Sequence, residues 1–320
     1  MASGPFTFVT ADVFTSEKYR GHQLAIVSTR NDALPRERKQ QIAREFNLAE
    51  TAFLHDTEPG ASRRLDIYSR NEELSFDGQA VIGAAHYIFR ELDHEHHIAN
   101  EEGPWTSTLL TKAGRIPIFF DPRRQVAAAE VPHGVHIHQR ETPSDNVLAV
   151  QPNLRKNRDV AEMEGSFPLV SFVKGLAFTL VDFTNKPSLL KSLKVGDAPE
   201  AYLDDGWGSS YRGCVYYVQL DPDSREEPHI NRIRVRMIAD GAEDPASGAA
   251  CSTIACYMAL HKGGKGSRHI FAFEQGVEMG RPSQICVEVV LNENGDKVAS
   301  VTLSGKAVFV TEGKLLRSIL

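Results

Sequence analysis

The chain has 320 residues, 41% of them hydrophobic and 24% charged, with a formal net charge of −6. That balance is ordinary for a globular protein, and the length favours two domains over one. Basic pieces such as 64–70 and 123–125 are short and mixed with acids or neutral residues, so no nucleic-acid footprint is expected.

No apolar run reaches the ~20 residues of a membrane span. The N-terminus MASGPFTFVTADVF lacks a basic region followed by an apolar one, so no signal peptide and a cytoplasmic location are expected. Cys214, Cys251, Cys256 and Cys286 show no CxxC pair and no zinc spacing. They read as buried free thiols.

Residues 6–14 and 24–27 read as strands joined by a turn at 16–23. Residues 35–47 predict a helix, with Pro35 at its start and Ile42 and Phe46 four apart on one face. Residues 51–56 and 64–70 read as strands around a turn rich in Gly, Pro and Ser. The stretch SFDGQAVIGAAHYIF, 75–89, is apolar nearly all round and rich in small residues, which predicts a buried helix. DHEHHI, 93–98, reads as an exposed loop, because its histidines have no second ligand motif at a defined spacing. Strands are expected at 107–112, 115–120 and 125–131.

The stretch HGVHIHQRETPSDN, 133–146, is the most polar crossing and the boundary candidate. It gives domains of 1–135 and 136–320, with the final strands candidates to return to the first. The second half repeats the plan of the first. Strands are expected at 168–173, 177–183, 214–220 and 232–238, then an apolar small-residue helix within 240–260. Further strands are expected at 269–273, 284–291, 300–305 and 307–310.

The two helix openings align. Asp77-Gly78-Gln79-Ala80 begins one and Ser247-Gly248-Ala249-Ala250 the other, their glycines 170 positions apart (248 − 78). Each half therefore reads as short strands around one central apolar helix, which suggests an internal duplication. The fold class is α+β.

A helix N-terminus offers unpaired N–H groups and the positive end of the dipole, a natural seat for a carboxylate or phosphate. Nucleophile motifs are missing: there is no G-x-S-x-G. Walker A and G-x-G-x-x-G runs are missing as well, so no nucleotide cofactor and no metal are expected. What remains is carboxylates: Glu50, Asp77, Glu243 and Asp244. A carboxylic acid in a half-apolar setting can take a proton from one atom and return it to another. Each also has a structural alternative. Asp77 could cap a helix, Asp244 could shape the turn before Pro245, and Glu50 could be a surface residue at a strand start.

Five stretches, in order along the chain, resemble the phenazine-biosynthesis PhzF-like isomerases, relatives of diaminopimelate epimerase. They are DVFTSEKYRGHQLAIV, FNLAETAFL, LSFDGQAVIGAAHYIF, EDPASGAACSTIACYM and FEQGVEMGRPSQICVEV. The resemblance implies two similar domains, each a strand-built barrel around a central helix. It also implies a cleft between them, no cofactor, and a homodimer.

The activity it implies is cofactor-independent isomerisation or epimerisation of a small carboxylated metabolite by proton transfer. Glu50 falls on the acid/base glutamate of the family's E-T signature. Asp244 falls on the E-D-P aspartate, and Gly248-Ala249 on the backbone that holds a substrate carboxylate. Gly78, Gln79, Ala80 and Ser247 complete the expected substrate contacts, and Asp77 is a candidate second acid. Four positions depart from the family: Gln79 replaces histidine, Ala249 replaces serine, Asp77 adds a carboxylate, and Gly21-His22 replaces Gly-Asn. Glutamine cannot shuttle a proton near neutral pH. A non-catalytic metabolite-binding or interaction protein on the same scaffold is the alternative.

Overall fold

The computed structural model describes residues 6–29, 34–100 (backbone only at 98–100), 103–208, 211–221 and 230–316. The chain divides into two compact units. One is Met1–Val131 with Ser304–Leu320; the other is Pro132–Leu303.

In the first unit, β1 (Phe6–Val13) and β2 (His22–Thr29) form an antiparallel pair. Gly21 makes the turn between them possible. It has φ +65°, and a Cβ there would sit 2.3 Å from the Val13 carbonyl oxygen. Helix α1 (Arg36–Phe46) carries the chain over to β3 (Glu50–His55), which is parallel to β2. α1 ends at Asn47 in the left-handed region, φ 54°. Its Ala43 joins Val27, Phe53 and Tyr68 in an apolar cluster, with Ile42 and Phe46 against it.

The buried Lys39 of α1 reaches Asp66 at 2.5 Å, beside His55 at 2.8 Å. Asp66 lies on β4 (Arg63–Ser69). Burial pushes its carboxyl up, but hydrogen bonds from His55, Lys39 and Arg64 hold it well below the usual carboxylate range.

β4 runs antiparallel to β3 and is followed by the short β5 (Glu73–Leu74) and α2 (Gly78–Tyr87). Every residue of α2 from Gly78 to His86 is buried. It packs on β1, β2 and β3, on β7 (Gly114–Asp121) and β8 (Val126–Glu130), and on the final strand Ala307–Leu315. Strands on all sides favour small or apolar side chains, which is why Ala, Gly, Val and Ile fill most of it, and the buried Gln79 and His86 each donate to a carbonyl. The α-helical ladder ends at Tyr87 and a π turn, Ile88–Leu92, continues it. β6 (Trp105–Thr111) pairs antiparallel with β7, which pairs antiparallel with β8. The final strand lies antiparallel along β1.

The segment read as an exposed loop at 93–98 is a correction. It belongs to the helix α3 (His94–Asn100), and His97 is buried. The His97 ring stacks on Trp105 at 5.3 Å and 12°, and meets Phe89 at 5.0 Å. Aromatic neighbours eight positions away on either side (105 − 97 and 97 − 89) decide this, and periodicity within six residues cannot show them.

In the second unit, β9 (His136–Ile137) pairs with β12 (Leu169–Val173), and β12 with β13 (Leu176–Asp182). β13 is parallel to β14 (Tyr211–Gln219), which pairs antiparallel with β15 (Ile230–Ala239). β15 is parallel to β17 (Arg268–Gln275), and β17 antiparallel to β18 (Ser283–Leu291). β19 (Val298–Gly305) leads back towards the first unit. The short β10 (Thr142–Pro143) and β11 (Ser166–Phe167) pair separately. The polar stretch 133–146 is therefore structured, carrying β9, β10 and the start of α4 (Ser144–Val150).

The central element is α6 (Gly248–Lys262), which packs on β12, β13, β17 and β18. It begins at Gly248; upstream, β16 (Ala242–Asp244) pairs with β15. Fully buried Ile254 stabilises by ~1.5–3 kcal/mol relative to exposure. α4 and the short α5 (Pro187–Ser192) have no counterpart in the sequence reading. They are short, and they cover an outer apolar cluster of Val147, Phe183, Leu189, Leu190 and Tyr216. Cys214, Cys251 and Cys256 are buried as expected, whereas Cys286 on β18 is only half-buried. No helix among the described residues is long and apolar enough to cross a membrane.

Candidate active site

The two helix openings are built alike. At α2, Asp77 has extended backbone and its Oδ1 accepts the Ala80 N–H at 2.7 Å, while its carbonyl accepts the Val81 N–H at 3.1 Å. At α6, Ser247 does both: its Oγ accepts from the Ala250 N–H at 3.4 Å and its carbonyl from the Cys251 N–H at 3.1 Å. In each case the cap engages the third and fourth N–H groups. Those of Gly78 and Gln79, and of Gly248 and Ala249, then form the leading edge of the turn. The capping alternative considered for Asp77 is thus part of its role.

Gln79 is 2% exposed and donates from Nε2 to the Gln23 carbonyl at 2.8 Å. A carbonyl only accepts, so this bond fixes which end of the amide is which. Gln79 Oε1 is then buried without a partner among the described residues. Gln23 lies on β2, next to Leu24, and Leu24 is in register with Glu50 of β3. Glu50, half-buried, therefore starts its strand one register position from the carbonyl that anchors Gln79. Within the first unit, the carboxylate of the E-T signature and the α2 opening share one end of the β2–β3 pair.

In the second unit, adjacent carboxylates separate sharply. Glu243 forms a two-pronged pair with Arg236, Oε1 to Nε at 2.8 Å and Oε2 to Nη2 at 2.7 Å, with both side chains about nineteen-twentieths buried. Arg236 also donates to the carbonyls of Leu190 and Leu193. Glu243 is thereby committed to structure. Asp244 is half-buried, and its Oδ1 accepts the Ala246 N–H at 2.8 Å, closing the turn before α6.

That turn has a brace the sequence reading missed. Gln275, fully buried at the end of β17, accepts the Ser247 N–H on Oε1 at 3.0 Å. It donates from Nε2 to the Asp244 carbonyl at 2.7 Å. Ser283 Oγ donates to the Pro245 carbonyl at 2.9 Å. Gly276 has φ +72°, and a Cβ there would lie 2.6 Å from the Pro245 oxygen. Gln275, Gly276 and Ser283 all lie in the FEQGVEMGRPSQICVEV segment, so the signal was present in the motif and its purpose was not.

Cys251, one turn into α6, is fully buried. Burial, then the Asp244 charge, hold its thiol well above the ordinary range, so it is no nucleophile near neutral pH. The structure places Glu50, Asp77, Gly78, Gln79 and Ala80 in the first unit, and Asp244, Ser247, Gly248 and Ala249 in the second.

Comparison with known proteins fits this construction. A protein of Mesorhizobium japonicum named as an uncharacterized isomerase is 28% identical, over 96% of this chain and 98% of its own. The trans-2,3-dihydro-3-hydroxyanthranilate isomerase of Pseudomonas aeruginosa is 24% identical, over 96% of this chain and 98% of its own.

Among solved structures, a PhzF-family phenazine biosynthesis protein of Bacillus anthracis superposes with TM-score 0.73 at 18% identity, covering 98% of this chain and 100% of that one. A hydroxyproline epimerase of Agrobacterium vitis superposes with TM-score 0.56 at 13% identity, covering 98% and 92%. The fold is that of the diaminopimelate epimerase-like proteins, and the named isomerase relatives support a general isomerase role. The phenazine biosynthesis-like protein family matches residues 11–313, and this chain belongs to that family.

Proposed function

We propose that the protein is a cofactor-independent isomerase that moves a proton on a small carboxylated metabolite. Glu50 is the general acid/base: it takes a proton from a carbon activated by neighbouring unsaturation or a carboxyl group and returns it elsewhere on the same molecule. Asp244 is a supporting acid. The leading N–H groups at Gly78-Gln79 and Gly248-Ala249 hold anionic oxygen, using helix-terminal donors that need no reorganisation. Gln79 orients the substrate, its Oε1 accepting an O–H or N–H. Asp77 caps α2 and is a second candidate acid. The homodimer and cytoplasmic location implied by the resemblance belong to the same proposal.

One observation carries the reading. The half-buried Glu50 is set one register position from the strand carbonyl that anchors the α2 opening. The positive end of α2 favours a carboxylate at this end of the β2–β3 pair, where a substrate anion and an acid/base group would be wanted together.

The test is deuterium uptake. The protein is incubated in heavy water with a panel of small unsaturated or hydroxylated carboxylic acids, and exchange is followed by NMR. Wild type exchanges one acid, and Glu50→Gln lowers the rate by about 10²–10⁴-fold with unchanged unfolding. Exchange that survives Glu50→Gln ends the assignment. Asp77→Asn keeps the cap but cannot carry a proton, so exchange that persists in that variant limits Asp77 to capping.

A further inference from the structure

The polar stretch at the start of the second unit carries a histidine pair that the proposed reaction does not use. His136 and His138 are two apart on an extended segment, so their side chains share a face. β9 holds this segment to β12, with His136 in register with Ser171 and the His138 N–H donating to the Leu169 carbonyl at 2.9 Å. His138 is 3% exposed. The Asp204 N–H donates to its Nδ1 at 3.0 Å, so Nδ1 carries the lone pair. Nε2 then carries the proton and donates to Ser171 Oγ at 2.9 Å.

The lone pair of His138 therefore faces the Asp204 side. Asp204 Oδ2 lies 3.7 Å from His138 Nδ1 and 2.8 Å from His136 Nε2. One ligand atom from each of the three residues lies within 4.8 Å of the others. The Gln139 N–H donates to the same carboxylate at 3.2 Å, fixing its position from behind. Trp207 lies flat on His136, at 4.5 Å and 11°.

We propose that His136, His138 and Asp204 form a binding site for one divalent transition-metal ion of the zinc type. Ligand atoms about 2.1 Å from a tetrahedral zinc stand about 3.4 Å apart, and the separations of 2.8 and 3.7 Å fall on either side of that value. Two imidazoles and one carboxylate are ligands such an ion takes. Ser171 is the outer partner that a ligating histidine needs, since it holds the remaining ring proton and fixes the tautomer.

Binding replaces the His136–Asp204 hydrogen bond and the Asp204 N–H contact to His138 with metal bonds. His136 must present a bare Nε2 to the ion. The half-exposed His136 and Asp204 leave one side open for water as a fourth ligand. The ion would clip β9 to the turn at 204–207, 68 residues on (204 − 136), and so close a long loop.

The test uses the two tryptophans. Trp105→Phe leaves Trp207 as the sole tryptophan, excited selectively over tyrosine, and chelator-treated protein is titrated with Co²⁺ and then Zn²⁺. Co²⁺ quenches Trp207 at a stoichiometry of one, and Zn²⁺ reverses the quenching with a Kd on the order of micromolar or tighter. His136→Gln at the half-exposed position, and Asp204→Asn, each weaken Zn²⁺ at least about tenfold. Circular dichroism of the metal-free variants verifies that both remain folded. Zn²⁺ binding in the millimolar range, or quenching unchanged in folded His136→Gln, overturns the proposal.

Discussion

The two central helices open on the same backbone pattern and are supported in different ways. At α2 the cap is a carboxylate, and the neighbouring side chain, Gln79, reaches out to the Gln23 carbonyl of β2. At α6 the cap is a hydroxyl at a longer 3.4 Å, and the bracing comes from outside the helix, from Gln275 and Ser283 at the ends of flanking strands. The far ends differ too. α2 buries His86 completely, with Nε2 donating to the Gly305 carbonyl at 3.0 Å, whereas α6 ends on exposed His261 and Lys262. A duplicated element can keep its hydrogen-bond pattern while the atoms that satisfy it are exchanged. The cost of leaving helix N–H groups unpaired acts on the pattern, not on the residue that meets it.

The sharpest way to break this comparison is at the α6 approach. Glu243→Gln leaves the Arg236 guanidinium buried without its carboxylate and destabilises by about 3–5 kcal/mol in urea unfolding. Its neighbour Asp244→Asn keeps the oxygen that accepts from Ala246, and unfolds within about 1 kcal/mol of wild type. Equal losses for the two would remove the division between structural and site carboxylate.

A second effect belongs to α2 alone. Burial pushes His86 down to about 4 from 6.5, with the Gly305 bond and the Arg90 charge as smaller influences. Between those values the unfolded chain binds the proton and the folded chain does not. Stability is therefore full above pH 6.5 and falls by up to about 3 kcal/mol as pH drops through 4. His86→Gln, which retains an N–H donor for Gly305, flattens that slope when unfolding is compared at pH 7 and pH 5. A slope unchanged by the substitution places the titration elsewhere.

The smallest effect is the most diagnostic. Gln275→Leu strands the Ser247 N–H and the Asp244 carbonyl and costs about 2–3 kcal/mol. Gln79→Leu removes a single bond and costs about 1 kcal/mol. Thermal unfolding of both variants ranks the braces, and the reverse order would place the principal support at α2.

Much of the scaffold was legible because its signals are local. The small-residue runs are apolar on every side, as a buried helix must be, and the two glycine openings align in the sequence itself. What stayed hidden depended on contacts across the sheet. Glu243 and Asp244 look equivalent in sequence, but on β16 they point to opposite faces, and one meets a buried arginine. That arginine was itself concealed, because the strand expected at 232–238 gives Arg232, Arg234 and Arg236 the same alternation, and only Arg236 meets Glu243. Gln275 was quoted within a family segment without a role, since an amide's value lies in what faces its two ends. His136 and His138 read as a polar boundary because their third partner, Asp204, is far along the chain.

The brace at Gln275 also bears on how the chemistry could be measured. An amide does not titrate, so the bonds from Gln275 to the Ser247 N–H and the Asp244 carbonyl persist across the working pH range. A rate profile against pH should then record the ionisation of the proposed acids, the Asp244 bond to the Ala246 N–H included, on a turn that Gln275 continues to hold. The proposed reaction would thus have, at Gln275, a fastener insensitive to acid where acidity is the experimental variable.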